Sequence, residues 1–283
     1  DRRQRQMCIR DRRREDGYHE VRMIMQTIHL YDLLEIQKIR EPGIQIVSNL
    51  SFLPVNENNL VYKAARLLQE EFALTDGISV KLTKRIPVAA GMAGGSTDAA
   101  AMLYAMNQLY DLGLSRRELM KRGVQIGADV PYCLMRGTAL AEGIGEKLTQ
   151  LPPMIKCPVL IAKPSISVST RFVYQNLKLD EQTNHPDIDA LMKDIREKDF
   201  DGVCAHMGNV LESVTIPNYP VIAEIKQQMM RSGAKASMMS GSGPTVFGLF
   251  EDGETAKRAL REMKRSGLAK QVYLTTIYNN RRK

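Results

Sequence analysis

The sequence lacks the features that mark membrane, secreted or disulfide-rich proteins. No apolar run approaches the roughly 18 residues that a membrane-spanning helix needs. Residues 1–14 contain seven arginines and no apolar core, so we expect no secretory signal there. The four cysteines, at positions 8, 133, 157 and 204, show no C-x-x-C spacing, which argues against a zinc site or a disulfide framework. These absences predict a cytoplasmic protein with no membrane partner.

Basic charge is concentrated at the two ends of the chain, although the formal net charge is +8. Seven arginines against two aspartates give residues 1–14 a charge of +5, and residues 281–283 add +3, which leaves 30 basic and 30 acidic residues between them. A nucleic-acid groove needs a basic folded surface with aromatic side chains among the charges. We therefore expect solvated basic ends and no nucleic-acid partner.

Hydrophobic periodicity predicts an α+β protein without internal repeats. The length of 283 residues fits two domains or one large domain, with a break near Pro152-Pro153. Ser115, with Glu118 three residues later, predicts the start of a capped helix. The other predicted elements are strands over 19–31, 33–39, 44–48, 78–86 and 158–164, a hairpin over 137–151, helices over 58–72 (with Asn58 or Asn59 as N-cap), 97–110, 187–231 and 254–266, and a final strand over 271–278.

A loop of small residues, PVAAGMAGGSTDAA at positions 87–100, has the composition of a phosphate-binding turn. Gly91, Gly94 and Gly95 allow the backbone to turn sharply and to approach a ligand closely. The residues that follow are predicted to open a helix, whose first N–H groups have no intrahelical partner. Such a helix start, with its positive dipole end, attracts phosphate.

The polar residues after these glycines support the same interpretation without deciding it. The hydroxyls of Ser96 and Thr97 can reach a phosphate oxygen or a magnesium ion, whereas Asp98 would repel a phosphate placed too near. A helix-capping turn rich in small residues is the alternative. The loop is not a Walker A motif, because no G-K-[ST] follows, and it lacks the G-x-G-x-x-G spacing of dinucleotide sites.

A second glycine-rich loop occurs at Ser240–Thr245, in the sequence SGSGPT. Two glycines, three hydroxyls and a proline between two predicted strands exceed what a hairpin needs, although a plain turn remains an alternative. With one such loop in each half of the chain, a ligand held between two lobes is favoured.

Asp129 stands in a mostly apolar stretch, GVQIGADVPYCL, between a glycine and a proline. An aspartate in this setting can cap a turn or a helix. Partial burial can also bring a carboxylate into the range of a general base. Spacing alone does not decide between the two.

Four blocks, in this order, resemble the GHMP kinase superfamily: REDGYHEVRMIMQTI (14–28), PVAAGMAGGSTDAA (87–100), GADVPYCL (127–134) and SGSGPTVFGLF (240–250). The resemblance runs from about Arg13 to the C-terminus. The glycine-rich blocks are typical of the whole superfamily. The sequences Gly17-Tyr18-His19 and Gly127-Ala-Asp-Val-Pro131 resemble the members that phosphorylate the 2-hydroxyl of 4-diphosphocytidyl-2-C-methyl-D-erythritol.

The resemblance implies a two-lobed GHMP kinase fold, with a ribosomal-S5-like N-terminal half and a ferredoxin-like C-terminal half. Its domains would be an atypical basic segment (1–12), an N-terminal ATP-binding domain (13–153) and a C-terminal domain (154–283). It also implies transfer of the γ-phosphate of ATP, with Mg²⁺, to that small-molecule alcohol in non-mevalonate isoprenoid biosynthesis, by a cytoplasmic monomer or homodimer.

The resemblance further assigns roles to single residues. Asp129 matches the general base that takes the hydroxyl proton. Tyr18 and His19 match a pair that stacks on and hydrogen-bonds the cytosine ring, with core packing and an exposed strand start as their respective alternatives, and Tyr174 matches an aromatic on the other side of that base. The implied ATP-binding residues are Pro87, Ala89, Ala90, Gly91, Met92, Ala93, Gly94, Gly95, Ser96 and Thr97; the substrate-binding residues are Tyr18, His19, Thr170, Tyr174, Ser240, Gly241, Ser242 and Gly243; the metal candidates are Ser96 and Thr97.

The chain departs from the family pattern at its start. The family begins with a strand of the type A-K-I-N-L-x-L-x-V, whose lysine helps to orient the base and to stabilise the transferring charge. RRQRQMCIR stands in that place, with Arg3 near the lysine position. We therefore expect the first strand to be missing and residues 1–12 to be foreign. The alternatives for function are another GHMP kinase of the homoserine or mevalonate type, and a catalytically impaired binding protein on the same scaffold.

Overall fold

The structure, a computed structural model, describes residues 4–13, 19–178 and 185–280, with side chains described from residue 21 onward. Helices and strands alternate along these ranges, so the predicted α+β class is confirmed. The strands are β1 (Gln4–Arg13), β2 (His19–Gln26), β3 (Leu33–Ile39), β4 (Ile44–Ser48), β5 (Gly77–Thr83), β6 (Thr138–Gly143), β7 (Lys147–Gln150), β8 (Pro158–Lys163), β9 (Ala236–Met239), β10 (Val246–Leu249) and β11 (Gln271–Thr276). The helices are α1 (Leu60–Glu71), α2 (Gly94–Leu109), α3 (Arg116–Ile126), α4 (Val130–Met135), α5 (Thr170–Asn176), α6 (Ile188–Glu197), α7 (Phe200–His206), α8 (Glu212–Asn218), α9 (Val221–Arg231) and α10 (Gly253–Ser266).

Backbone proximity divides the described chain into two compact units. The first unit holds residues 30–88 and 93–136. The second unit holds residues 4–13, 19–29, 89–92, 137–178 and 185–280. These units group residues by proximity, and the predicted domain boundary between residues 153 and 154 stays a prediction.

The first unit is built on a three-stranded sheet of order β3-β5-β4, in which β3 is antiparallel and β4 parallel to β5. Val80 and Leu82 alternate with exposed or half-buried residues along β5, as its sequence predicted. They belong to one apolar core with Leu68 of α1 and Met102 of α2. Burial of these side chains is the main stabilising contribution to such a core.

Two helix starts in the first unit follow their local sequence signals. The Asn59 side chain accepts a hydrogen bond from the Val61 amide, so Asn59 is the N-cap of α1. Ser115 and Glu118 form both hydrogen bonds of a capping box at the start of α3. Both predicted caps are confirmed, because a cap depends on residues that are neighbours in sequence.

The second unit contains two antiparallel sheets, of order β1-β2-β6-β7 and β11-β8-β10-β9. The predicted hairpin is present as the pair β6–β7, and β9 and β10 pair on either side of the second glycine-rich loop. A single bridge joins Ile28 to Ile277, and both side chains are buried. None of the helices that the structure describes is long and apolar enough to cross a membrane.

The prediction that the first strand is missing is wrong, because the backbone of Gln4–Arg13 forms a strand. β1 pairs with β2 in antiparallel register, from Gln4 opposite Gln26 to Arg13 opposite His19. β1 lies at the edge of its sheet, and edge strands carry charged side chains more readily than central strands do. An arginine-rich segment can therefore form a strand although its sequence shows no buried alternation. Arg3 lies outside the described residues.

The α6–α7 region of the second unit contains an ion pair with a defined pH dependence. The Nδ1 atom of His206 lies 2.6 Å from Asp194 Oδ2, and this hydrogen bond raises the pKa of His206 above its usual value. Because the folded state binds the proton more tightly than the unfolded state, the stabilisation is complete below about pH 6.5 and is lost as pH rises through the raised pKa. We expect His206→Gln to lower the melting temperature at pH 6 and to have little effect at pH 9, as measured by calorimetry.

The matched control is Lys257→Gln, which removes an exposed pair with Glu254 that contains no histidine. Its effect should be equal at pH 6 and pH 9. A melting-temperature difference for His206→Gln that is the same at both pH values would contradict a titrating pair.

Candidate active site

The first glycine-rich loop connects β5 to α2, and three of its residues have positive φ. Ala89, Gly91 and Ala93 have φ values of +50°, +68° and +47°. Left-handed backbone is uncommon for alanine, and such strained residues cluster at functional sites. Backbone that alternates between right- and left-handed residues directs successive N–H groups into one concavity that binds anions. Left-handed residues at alternate positions of this loop are the pattern that such anion-binding turns have.

Helix α2 begins at Gly94, three residues before the predicted start at Thr97. Gly94, Gly95 and Ser96 are its first residues, and their N–H groups have no partner within the helix. Gly95 is exposed and Ser96 is half-buried. The positive end of the helix dipole thus follows the concavity directly in the chain, as at known phosphate sites.

The two predicted magnesium ligands differ in accessibility. Thr97 is buried, and its hydroxyl donates to the Ala93 carbonyl at 3.0 Å. The Sγ atom of Cys133 lies 3.7 Å from the Thr97 hydroxyl oxygen. Ser96 keeps part of its surface in solvent. The described residues contain no group of three or more His, Cys, Asp and Glu side chains that could hold a metal ion. Of the two hydroxyls, that of Ser96 is the one that a phosphate-bound ion could reach.

Asp129 occupies the N-cap position of the short helix α4, but its side chain makes no capping hydrogen bond. It is half-buried, and its carbonyl accepts from the Cys133 amide at 3.1 Å. Cys133, one helical turn after Asp129, also lies 3.7 Å from the Thr97 hydroxyl, so α4 packs against the start of α2. The alternative that Asp129 caps a helix is therefore only partly supported: Asp129 stands at the N-cap position, but its carboxylate accepts no capping hydrogen bond.

Residues of the two glycine-rich loops contact each other within the second unit. The Ser240 hydroxyl donates to the Gly91 carbonyl at 3.0 Å. A Cβ atom at Gly91 would lie 2.3 Å from the Ser240 carbonyl oxygen and 3.0 Å from that of Gly243. Gly91 is therefore required by both its left-handed φ and the backbone that faces it.

The second loop is buried, and the hydroxyls of Ser240 and Ser242 bond to protein partners, whereas the Thr245 hydroxyl has no hydrogen-bond partner among the described residues. Ser242 Oγ lies 2.8 Å from Thr170 Oγ1, so two of the predicted substrate-binding residues contact each other. Asn209, which the sequence reasoning missed, donates to the carbonyls of Met239 and Gly241 at 2.9 and 2.8 Å. Nothing in the spacing of Asn209 signals this contact, because it lies about 30 residues from the loop.

Of the three residues predicted to hold a cytosine ring, the structure describes the side chain of Tyr174 only. Tyr18 lies outside the described residues, and His19 begins β2 with its side chain outside the description. Tyr174 is half-buried on α5, and Thr170 is the first residue of that helix, after the N-cap Ser169. Their ligand-binding roles stay predictions.

A buried charged cluster at the loop was not predicted from the sequence. Lys84 Nζ donates to Asp98 Oδ2 at 2.7 Å and also to Asp32 Oδ2. Burial raises the pKa of Asp98 to about 7, although the Lys84 ammonium acts in the opposite direction. Asp32 and Lys84 are 52 positions apart in sequence, so no local pattern could have linked them.

The fold and the two glycine-rich loops are those of the GHMP kinases, a class of small-molecule kinases. The sequence model described as GHMP kinases N terminal domain matches residues 59–137, which include the first loop and Asp129. The model described as GHMP kinases C terminal matches residues 191–269, which include the second loop. A crystal structure of homoserine kinase from Cytophaga hutchinsonii, 20% identical, superposes with a TM-score of 0.71 over 98% of this chain and 94% of that chain, which shows the fold alone.

Relatives of higher sequence identity indicate one family within this class. The 4-diphosphocytidyl-2-C-methyl-D-erythritol kinase of Lachnospira eligens is 58% identical over 266 residues, which are 94% of this chain and 92% of the relative. A crystal structure of 4-(cytidine 5'-diphospho)-2C-methyl-D-erythritol kinase, 29% identical, superposes with a TM-score of 0.84 over 99% of this chain and 98% of that chain. The chain belongs to the 4-diphosphocytidyl-2-C-methyl-D-erythritol kinase family, within the GHMP kinases.

Proposed function

We propose that the protein uses ATP to phosphorylate the 2-hydroxyl of 4-diphosphocytidyl-2-C-methyl-D-erythritol, a step of isoprenoid precursor synthesis. The names of its relatives support this substrate over homoserine or mevalonate. The reaction is a phosphoryl transfer, which depends on positioning and charge stabilisation more than on covalent help from the protein.

The observation that carries the proposal is the run of positive φ values at Ala89, Gly91 and Ala93 directly before α2. Backbone N–H groups of this concavity and of the first turn of α2 can hold the phosphates of ATP without any lysine in the loop. The hydrogen bond from the Ser240 hydroxyl to the Gly91 carbonyl holds the loop in this strained conformation. The predicted residues from Pro87 to Thr97 would thus bind ATP mainly through the backbone.

Asp129 is proposed as the general base. Its carboxylate is not used as a helix cap, although it stands at the N-cap position of α4. A base within hydrogen-bond reach of the substrate hydroxyl removes its proton as the oxygen attacks the γ-phosphorus. The proton passes to the carboxylate, the new P–O bond forms, and ADP leaves.

Magnesium and the cytidine group complete the proposed site. Ser96 would hold the ion together with phosphate oxygens of ATP, since Mg²⁺ prefers oxygen ligands and keeps few protein ones. When bound, the ion neutralises charge on the phosphates. Tyr18, His19 and Tyr174 are proposed to hold the cytosine ring, because stacking on aromatic side chains is worth about 1–3 kcal/mol per base.

The proposed function is tested by incubating the full chain with ATP, Mg²⁺ and 4-diphosphocytidyl-2-C-methyl-D-erythritol. We expect ADP release and one new phosphomonoester signal in the ³¹P NMR spectrum of the product. Homoserine and mevalonate serve as comparison acceptors and should give no product. Phosphorylation of either one, without phosphorylation of the cytidyl substrate, would overturn the proposal.

A second protein tests whether the unusual N-terminus impairs activity. It carries Arg2→Ala, Arg3→Lys, Gln4→Ile, Arg5→Asn and Gln6→Leu, which restores the family pattern A-K-I-N-L. Arginine does not replace a compact ammonium well, so we expect the restored lysine to raise kcat. If neither protein turns over any acceptor while both bind ATP, the impaired-scaffold alternative is favoured instead.

A further inference from the structure

Three charged side chains that the proposed mechanism does not use are buried together in the first unit. Lys84 Nζ donates to Asp98 at 2.7 Å and to Asp32. The side chains of Lys84, Asp98 and Asp32 are 3%, 4% and 1% exposed. Buried ion pairs are often no more stabilising than apolar residues of similar size, so fold stability alone does not explain this cluster.

Asp32 holds the segment of chain that enters the phosphate loop. Its Oδ1 atom accepts from the amides of Arg85 and Ile86, at 2.5 and 2.9 Å, directly before Pro87. Together with the bond from Lys84, this carboxylate accepts three hydrogen bonds. The entrance to the loop is thereby tied to one buried carboxylate at two successive amides.

Asp98 connects the same ammonium to the exit of the loop. It is the fifth residue of α2, and its Oδ1 atom has no hydrogen-bond partner in the part of the chain that the structure describes. Lys84 Nζ also lies close to the helix start, because a Cβ atom at Gly94 would be 3.3 Å from it. One ammonium group therefore links the entrance of the loop to the first residues of α2.

The position of the ammonium also matters for an anionic ligand. Asp98 lies near the helix end to which the triphosphate is assigned above, and like charges repel strongly where water is excluded. Lys84 offsets that carboxylate charge at the point where it would otherwise oppose phosphate binding. This pairing explains how an aspartate can stand so close to a phosphate loop.

We propose that Lys84 is a positioning residue for ATP: by binding Asp32 and Asp98 it holds both ends of the loop 87–97, and it offsets carboxylate charge beside the triphosphate site. The inference rests on the proposed function, because it requires that ATP binds at this loop. Lys84 acts through the loop and through Asp98, not by touching the reacting atoms.

The test measures binding of ATP and of adenosine by calorimetry to the wild type, Lys84→Met, Asp98→Asn and the double variant. Lys84→Met removes the ammonium to which Asp32 and Asp98 both bond, so the Kd for ATP should rise roughly ten- to hundredfold, as when one partner of a buried charge pair is truncated. The Kd for adenosine should change by less than about threefold, because adenosine carries no phosphate charge. In kinetics, KM should rise for ATP and stay unchanged for the cytidyl substrate.

The double variant separates electrostatics from packing. Asp98→Asn removes the nearer negative charge and keeps an oxygen that can accept a hydrogen bond. We expect Asp98→Asn alone to bind ATP as well as the wild type, because it keeps the bond from Lys84. Its addition to Lys84→Met should recover the electrostatic part of the lost ATP affinity but not the part that depends on the link between the two ends of the loop. Equal losses for ATP and adenosine, or no recovery in the double variant, would overturn the inference.

A second pair of variants keeps the test decisive if Lys84→Met does not fold. Asp98→Asn retains an acceptor for Lys84, whereas Asp98→Ala removes it and releases the start of α2. We expect ATP affinity to fall roughly fivefold or more in the alanine variant only, with adenosine affinity unchanged in both. Identical behaviour of the two variants overturns the inference, whereas a wild type that binds no ATP overturns the proposed function itself.

Discussion

Asp129→Asn is expected to lower kcat by two to four orders of magnitude, the usual contribution of a general base, with little change in KM for ATP. The amide has the shape of the carboxylate but cannot accept the hydroxyl proton. The fold should survive, because the Asp129 side chain makes no capping bond and asparagine keeps the backbone carbonyl that accepts from the Cys133 amide. Steady-state kinetics with saturating ATP, together with a melting curve, measures both effects.

The matched control is Asp252→Asn at the N-cap of α10. Asp252 does cap its helix, through bonds from Glu254 and Thr255, and asparagine is an equally good cap. Its kcat should be that of the wild type. An unchanged kcat in Asp129→Asn would remove Asp129 from the role of base, and an equal fall in the control would show that the loss is not specific to Asp129.

The parts of the fold that could be predicted are those that neighbouring residues determine. The bounds of β3 and β4 agree with the predicted 33–39 and 44–48, because alternation of apolar residues reports directly on a half-buried strand. The Ser115–Glu118 capping box was predictable for the same reason. In each case the signal and the structure lie within a few positions of each other.

Other parts depend on contacts that no local pattern contains. β1 forms because β2 offers a hydrogen-bonding edge, and this pairing does not require alternating apolar side chains. The start of α2 was misplaced because Ala93 adopts left-handed backbone, which alanine does not signal in a sequence.

In the candidate site, too, the features set by neighbouring residues could be predicted, and those set by distant contacts could not. Glycines and hydroxyls made both loops visible in the sequence, and the family resemblance supplied a role for Asp129. The contact between Gly91 and Ser240 spans 149 positions, so composition could suggest each loop but not that they touch. Lys84 was missed because a lysine at the end of a strand looks like a solvated residue until Asp32 and Asp98 are placed around it.

Gly91→Ala is expected to abolish most ATP binding, because two separate effects act on the same residue. Its φ of +68° costs an alanine about 1–2 kcal/mol. The added Cβ would lie 2.3 Å from the Ser240 carbonyl oxygen, so one of the two glycine-rich loops must move. We expect kcat/KM for ATP to fall by roughly a hundredfold or more, because displaced amides no longer converge on the phosphates. Calorimetric ATP binding and steady-state kinetics measure the loss.

Gly113→Ala separates the clash from the strain. Gly113 lies between α2 and α3 with nearly the same φ, +66°, but an added Cβ there would meet no atom within 4 Å. It should therefore lose a similar amount of stability to backbone strain and keep the kcat/KM of the wild type. If Gly91→Ala behaves like Gly113→Ala, losing stability but not ATP affinity, the second loop does not hold the first in its binding conformation. A loss of ATP affinity confined to Gly91→Ala instead traces that affinity to the backbone contact with Ser240, since strain of the same size is present in both variants.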